Sequence, residues 1–195
     1  MLINTVVPTA AIVTLAEMKL HIRHTLSDTS EDAFLNSLVE AATLEAEKYC
    51  NRALRPQTWK LLLDWFPDCR EIEIPMAPIT AVSSVVYYDS AGSPVTMSGA
   101  DYQVDIQREP ARIALASALQ TWPITDSDKI NAVEITFTCG YATAADVPAG
   151  IKHAVKMAAA SMYSNREDEV QGQGFGKTDR TFERMLYPYR LFRFP

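Results

Sequence analysis

The sequence predicts an α+β fold, in which a helical core of about four helices carries a large antiparallel β-rich insertion between the second and third helices. Two observations support this fold class. Apolar residues recur at helical spacing near both ends of the chain, whereas the middle consists of short segments rich in β-branched and aromatic residues, separated by Pro, Gly, Asp and Ser. Strand and helix patterns alternate little, which argues against a parallel sheet built from βαβ units.

One composite domain with three parts is expected. Residues 1–56 form an N-terminal arm and two helices, residues 57–147 form the β-rich insertion, and residues 148–195 form a long Ala-rich helix, a Gly-rich linker and a C-terminal docking segment. The 195 residues are sufficient to bury a core, and 48% hydrophobic with 22% charged residues is typical of a globular protein.

The first two helices are predicted from their end signals. Thr14 and Glu17 have the spacing of a capping box, so the first helix begins there. The second helix is expected from about Glu31 to Tyr49, with Thr29 or Ser30 as its N-cap. Asn51 is a suitable stop signal for that helix.

The middle of the chain predicts five to seven antiparallel strands at about residues 58–140. The segments Ser90–Pro94 and Ser98–Asp101 are candidates for the hairpin turns between them, because both combine Gly with Ser and with Pro or Asp.

A third helix is expected after Pro148, since proline is well tolerated in a first helical turn. Ile151, Val155, Ala158 and Met162 would share one face of this helix. Small side chains cover a wide arc, so the helix can be a central helix of the monomer or can also pack against a neighbouring subunit. The candidate residues for subunit–subunit packing are Met157, Ala159, Ala160 and Tyr163.

The last helix is predicted around Phe182–Leu186 and should end near Tyr187, because the residue before Pro188 is disfavoured in a helix. The closing run "FERMLYPYRLFRF" is rich in aromatic residues and arginine, which dominate protein interfaces. This run either folds back onto the core of its own chain or docks on a partner. The candidate docking residues are Arg184, Tyr187, Tyr189, Arg190, Phe192, Arg193 and Phe194.

The residues predict no catalytic, cofactor-binding or metal site. The stretch 171–178 resembles a phosphate-binding loop, but Gln171 stands where that motif needs its first glycine. His21 and His24 have acceptable ligand spacing without convincing further ligands. Cys50, Cys69 and Cys139 are far apart and odd in number, which favours buried thiols in a reducing compartment.

The net charge of −6 is distributed unevenly. Residues 61–147 contain twelve Asp or Glu and four Lys or Arg, a balance of −8. A protein that grips DNA by its phosphates needs a basic surface, so tight DNA binding is disfavoured, and an acidic surface suits a passage better. No segment has the eighteen or so consecutive apolar residues of a membrane helix.

Nine segments occur in this order along the chain: "LAEMKLHIR", "EDAFLNSLVEAATLEAEKYCNRAL", "QTW", "IPMAPITAVSSVVYYD", "GADYQVD", "PARI", "NAVEITFTCGY", "VPAGIKHAVKMAAASMYSNRE" and "LYPYR". Through these segments, from about Leu15 to Arg190, the sequence resembles the head–tail connector proteins of long-tailed bacteriophages and prophages, also called head-completion or adaptor proteins. A shorter all-helical branch of the family that it resembles lacks the strand block.

The resemblance implies a structural protein of the virion, made in the cytoplasm of the bacterial host, with no enzymatic activity, cofactor or membrane contact. Such proteins form a ring, usually dodecameric, below the portal protein. The ring extends the DNA channel and provides a platform for the next head-completion or tail protein, and DNA is only passing cargo. In such a ring the helices are expected to form the wall between subunits.

Two other functions are kept as alternatives. The first is a DNA-binding or packaging accessory factor, which would require a basic surface. The second is a metal-dependent or hydrolytic enzyme whose site is assembled from distant residues.

Overall fold

The computed structural model describes residues 1–8, 10–117, 120–165 and 178–192, with the backbone alone for 178–180. The described residues form four α-helices, one 3-10 helix and eight strands. They divide into a β unit, Met1–Pro8 with Pro56–Gly140, and a helical unit made of the described residues in 10–55 and 141–192. The predicted α+β class with antiparallel sheets and four helices is therefore confirmed.

The helical unit contains all the helices. Its elements are α1 (Leu15–His21), α2 (Asp32–Cys50), α3 (Ala149–Ser164), α4 (Thr178–Leu186) and the 3-10 helix (Tyr187–Tyr189).

The capping box that opens α1 is confirmed. The Glu17 N–H donates to Thr14 Oγ1 at 3.2 Å, and the Thr14 N–H donates to the Glu17 carboxylate at 2.8 Å. The second bond favours the ionised carboxylate, so it lowers the pKa of Glu17 below its ordinary value.

The predicted N-cap of α2 is wrong. Glu31 occupies that position without a side-chain cap. Ser30 instead donates its N–H and its hydroxyl to the Asp28 carboxylate, which holds the preceding turn. The stop signal is correct, because Asn51 adopts the left-handed conformation with φ of 52° that commonly ends a helix.

One buried hydrophobic core fills the helical unit. The face that α3 contributes differs from the predicted one: Ile151, Ala154, Val155 and Ala159 are buried, whereas Ala158 is half-buried. The buried members of the core are Ile12, Val13, Met18, Val39, Ala42, Ala46, Cys50, Leu54, Val147, Ile151, Ala154, Val155, Ala159, Phe182 and Leu186.

The β unit contains two antiparallel sheets. The larger has the strand order β1-β2-β8-β4-β5 and the smaller has the order β3-β7-β6. The strands are β1 (Leu2–Val6), β2 (Gln57–Leu63), β3 (Glu71–Glu73), β4 (Ile79–Tyr88), β5 (Pro94–Thr96), β6 (Tyr102–Asp105), β7 (Arg112–Leu115) and β8 (Val133–Cys139).

The sheet core and one turn follow the sequence pattern closely. Alternate residues of β8, from Val133 to Cys139, are buried, as expected for a strand with one face on a core. The turn at Ser90–Pro94 joins β4 to β5 as a hairpin, with Gly92 at a φ of 74°. The segment Ser98–Asp101 is a turn, but β5 and β6 belong to different sheets, so it does not form a hairpin.

The N-terminal arm is a strand of the larger sheet. β1 pairs with β2, with Leu2 opposite Leu61 and Ile3 opposite Lys60, and the register shifts between Asn4 and Val6. Residues 1–8 therefore lie in the β unit, whereas residues 10–55 belong to the helical unit.

Leu186→Ala should lower the free energy of unfolding by about 2–5 kcal/mol, because Leu186 is fully buried in the helical core. The matched control Leu44→Ala replaces an exposed leucine of α2 and should change it by no more than about 0.5 kcal/mol. Urea unfolding of both variants measures the difference. Equal effects at the two positions would mean that α4 does not belong to this core.

Candidate assembly surfaces

The C-terminal segment is attached to the end of α2 by main-chain hydrogen bonds. The Leu191 N–H donates to the Cys50 carbonyl at 2.8 Å, and Asn51 Nδ2 donates to the Leu191 carbonyl at 3.2 Å. Arg52 Nε donates to the Tyr189 carbonyl. Leu191 itself is buried, so the chain up to this residue is part of the helical unit.

Tyr189 lies against the first turn of α3. A Cβ atom added to Gly150 would come within 2.8 Å of the Tyr189 hydroxyl, so the missing side chain of Gly150 makes room for this ring. Tyr189 is half-buried and packs against the helical core. The Tyr189 side chain therefore covers part of the core of its own chain, and its docking on a partner stays a prediction.

Three other residues of the segment form an exposed cluster, which we name the C-terminal knob: Tyr187, Arg190 and Phe192. Tyr187 is 56% and Phe192 46% exposed, and their ring centroids lie 5.5 Å apart in an edge-to-face arrangement. The Arg190 guanidinium carbon lies 5.6 Å from the Phe192 centroid, within cation–π range. The knob combines the residue types that anchor protein interfaces.

Of the remaining docking candidates, Arg184 is exposed on α4. Arg193 and Phe194 lie outside the described residues. The phosphate-loop-like stretch at 171–177 also lies outside them.

The four predicted subunit contacts on α3 separate into two groups. Ala159 is completely buried and packs inside the helical core, so its interpretation as a subunit contact is wrong. Met157, Ala160 and Tyr163 are half-buried. The Tyr163 hydroxyl donates to Glu31 Oε2 at 2.5 Å, which fixes the ring beside the start of α2.

A helical surface that sequence reasoning missed continues from Tyr163. The Phe34 ring centroid lies 6.2 Å from that of Tyr163, and Phe34, Ser37, Ala41 and Leu44 are exposed along α2. Their spacing of three, four and three residues puts them on one side of the helix. We name Phe34, Ala41, Leu44 and Tyr163 the α2–α3 surface. The sequence shows apolar residues on this face of α2 and also on the neighbouring face that contains Leu35. Only the packing shows that the Leu35 face is buried and that this face is exposed.

A second missed surface lies on two loops of the β unit. Trp65, Ile124 and Ile130 are 69%, 84% and 79% exposed. Trp65 lines two grooves: one of about 470 Å³, which Ile124 also lines, and one of about 390 Å³, which Ile130 also lines. Below them Phe66 and Trp122 stack at 4.9 Å, which joins the two loops. Exposed apolar patches of this kind mark interaction sites.

Two of the four basic residues of the acidic segment 61–147 form ion pairs with carboxylates. Arg112 lies 2.9 Å from Glu71 and 3.2 Å from Asp105, and Arg108 lies 3.2 Å from Glu73. The hydrogen bond that Arg112 donates to the Glu71 carboxylate raises the pKa of Arg112 above its ordinary value. These pairs leave the surplus of carboxylates in this segment uncompensated, so the surface of the β unit is acidic.

The histidines do not assemble a metal site within the described ranges, where no group of three potential ligand side chains is placed to hold an ion. His21 faces His153 at 5.8 Å, and its pKa is lowered by burial and then by the nearby His153 and Lys156 charges. His24 lies 3.7 Å from Asp28 and Glu31. No helix among the described residues is long and apolar enough to cross a membrane.

The three thiols differ from the prediction in one case. Cys50 and Cys139 are buried as expected, whereas Cys69 is exposed and donates to the Glu71 carbonyl at 3.0 Å. Burial raises the pKa of Cys50 to about 11, so this thiol is neutral at physiological pH.

Comparison with known proteins identifies the family. A model of the family described as "Phage gp6-like head-tail connector protein" matches residues 12–110. No curated protein is similar enough to the chain to count as a relative.

Solved structures resemble the whole chain. A chain in the virion of a native gene transfer agent (GTA) particle is 25% identical, with a TM-score of 0.80 over 100% of this chain and 97% of that one. A chain in the neck of the empty GTA particle, computed with C6 symmetry, is 26% identical, with a TM-score of 0.78 and coverage of 100% and 97%. A chain in the neck of the native particle, computed with C12 symmetry, is 25% identical, with a TM-score of 0.71 and coverage of 99% and 97%.

One thiol of three should react rapidly with a thiol-specific reagent in the folded protein at pH 8, because Cys69 is exposed while Cys50 and Cys139 are buried. All three should react after denaturation. The Cys69→Ser variant is the control and should show no rapid reaction. Two or more rapid thiols in the folded wild-type protein would contradict the packing around Cys50, whose raised pKa further suppresses its thiolate.

Proposed function

This chain belongs to the phage gp6-like head–tail connector family, and from that membership we propose that it assembles as a ring of identical copies below the portal of a phage-like head. Its role is that of a structural connector between head and tail. In this proposal the ring extends the channel for DNA and offers a platform to the next head-completion or tail protein. The family implies a non-enzymatic role.

The observation that carries the proposal is the similarity over the entire chain to a protein from a phage-like virion, at a TM-score of 0.80. The related necks were computed with sixfold and twelvefold symmetry. A ring of twelve copies is compatible with both symmetries, so we propose twelve subunits. The same similarity supports a location in the virion at the head–tail interface, after synthesis in the host cytoplasm.

The α2–α3 surface is the proposed contact between neighbouring copies. It exposes Phe34 and Leu44 with the small Ala41 between them, so a neighbouring helix can approach closely. The half-buried Met157 and Ala160 on α3 are further candidates for this contact. A ring requires a head-to-tail contact, in which this surface meets a different surface of the next copy.

The C-terminal knob is the proposed contact with the portal. Its main chain is fixed to α2, so Tyr187, Arg190 and Phe192 are presented in one arrangement before binding, which reduces the entropy lost on docking. Arg184 on the preceding helix is included as an accessory charge. The Trp65 loop surface of the β unit is then available for the next component of the neck.

DNA is proposed as passing cargo of this ring. The acidic surface of the β unit repels phosphates, which supports passage without retention. The alternative of a DNA-binding accessory factor would need a basic surface, and segment 61–147 has a balance of −8.

The assembly is tested by measuring the mass of the full chain with light scattering, alone and mixed with its cognate portal. A ring-sized species that includes the portal is expected. Negative-stain images of this species should show a closed ring on the portal. A chain that remains monomeric at high concentration even with the portal present would overturn the proposal.

Leu44→Glu should abolish ring formation while the melting temperature of the monomer changes little, because a charge would be buried at the contact. Asn36→Glu is the matched control, since Asn36 is exposed on α2 but lies about 80° around the helix from Leu44. Normal rings from Leu44→Glu would exclude the α2–α3 surface as the contact.

The double substitution Tyr187→Ala, Phe192→Ala should weaken binding to the portal at least about tenfold, as expected for truncated interface anchors. The monomer should keep its stability, because both side chains are exposed. Val39→Ala is the contrasting control, since it removes a buried side chain of α2 and should lower stability while leaving the attachment of the knob in place. Undiminished portal binding by the double variant would rule out the knob as the docking site.

A further inference from the structure

The two sheets of the β unit have four edge strands among the described residues, and two of these edges are protected against pairing. β5 is three residues long and begins with Pro94, which has no N–H to donate. β3 is also three residues long and carries Glu71 and Glu73, both held in ion pairs with arginines. Short length, proline and charge are the usual means of blocking an edge strand.

The other two edges, β1 and β6, are less protected. β1 carries no charged residue, and the one charge of β6, Asp105, is held by Arg112 of β7. Ile3 and Val6 are exposed on β1, Val104 is exposed on β6, and Ile106 is exposed directly after it. The residues of β6 and β1 include neither proline nor lysine. Exposed apolar edge strands are prone to pair with another chain.

The hydrogen-bond pattern shows which main-chain groups these edges offer. On β1 the Leu62 N–H donates to the Met1 carbonyl, so Ile3 forms the hydrogen-bonded pair with Lys60. Leu2 and Asn4 therefore direct their N–H and C=O groups away from β2, because these groups alternate along an antiparallel strand.

The same pattern holds for β6. The Ala116 N–H donates to the Asp101 carbonyl, so Gln103 forms the hydrogen-bonded pair with Ala114. Tyr102 and Val104 therefore direct their N–H and C=O groups away from β7. Each open edge thus offers two residues with the same spacing, which is enough for four hydrogen bonds between the edges.

We propose that β1 of one copy pairs antiparallel with β6 of the next copy, with Leu2 opposite Val104 and Asn4 opposite Tyr102. The occupant of each open edge is a second copy of this chain, because the two edges match in the spacing of their outward main-chain groups and both expose apolar residues. Two different edges make a head-to-tail contact, which closes into a ring and does not stop at a dimer. This inference rests on the proposed ring and adds a main-chain contact to it.

A designed disulfide tests the register. In the proposed ladder Ile3 lies opposite Gln103 as a non-hydrogen-bonded pair, with a Cα–Cα distance of about 4.5 Å, which a disulfide can span. The full-length variant Cys69→Ser, Ile3→Cys, Gln103→Cys should give a series of covalent oligomers when oxidised on the cognate portal. The matched control places the second cysteine at Val95 on the protected β5 edge and should stay monomeric on a denaturing gel.

A main-chain substitution gives an independent readout. Val104→Pro removes the outward N–H of β6 without removing a bond to β7, so it should raise the protein concentration needed for rings at least tenfold. Val104→Thr keeps this N–H and should assemble with at most a small change. The melting temperatures of the Val104→Pro and Val104→Thr monomers show whether either variant is unfolded. If Val104→Pro is unfolded, the disulfide experiment alone tests the strand pairing.

The outcomes separate this inference from the proposed function. Normal rings without cross-links, or normal rings from Val104→Pro, would overturn strand pairing and leave the connector role intact. Consumption of both new thiols within a monomer would also overturn it, because the two edges would then meet in one chain. A wild-type chain that forms no ring with its portal would overturn both.

Discussion

The burial of Leu186 and Leu191 beside the end of α2 is the contact on which the rest of the helical unit depends. It joins residues about 140 positions apart in the sequence. The Leu191 N–H donates to the Cys50 carbonyl, and the Asn51 side-chain amide donates to the Leu191 carbonyl. Because the backbone up to Leu191 is fixed in this way, alternate side chains of the closing segment point inward and outward. The hydrophobic interior and the exposed aromatic cluster are consequences of the same attachment.

The exposed apolar surfaces are the contact surfaces of the proposed assembly. Exposed apolar residues are clustered in three places and are not scattered singly over the surface. These places are the α2–α3 surface with Phe34 and Leu44, the C-terminal knob with Tyr187 and Phe192, and the loops with Trp65 and Ile124. Each lies on a different set of elements. The proposed assembly with identical copies, a portal and a further neck component needs several separate contact surfaces, and these three are the candidates among the described residues.

The sheet edges of the β unit differ in their protection against pairing with another strand. Arg112 and Arg108 hold the carboxylates of β3 at one edge, and Pro94 interrupts another. The β unit has few basic residues, so an excess of carboxylates remains on its surface after these ion pairs form. The acidic surface repels DNA, and the open edges of β1 and β6 permit main-chain hydrogen bonds with another protein chain. Both properties are consistent with the proposed ring around a DNA channel.

The sequence by itself determined the fold class, the capping box at Thr14, the stop at Asn51, the hairpin turn at Ser90–Pro94 and the family resemblance. These features depend on residues a few positions apart, so local patterns are sufficient to identify them. The tertiary structure alone decided that Ala159 faces its own core, that Tyr189 packs on Gly150, that residues 2–6 pair with β2, and that Trp65 is exposed beside the buried Phe66. Each of these outcomes depends on which distant segment covers a given face, and periodicity within one element carries no information about that partner.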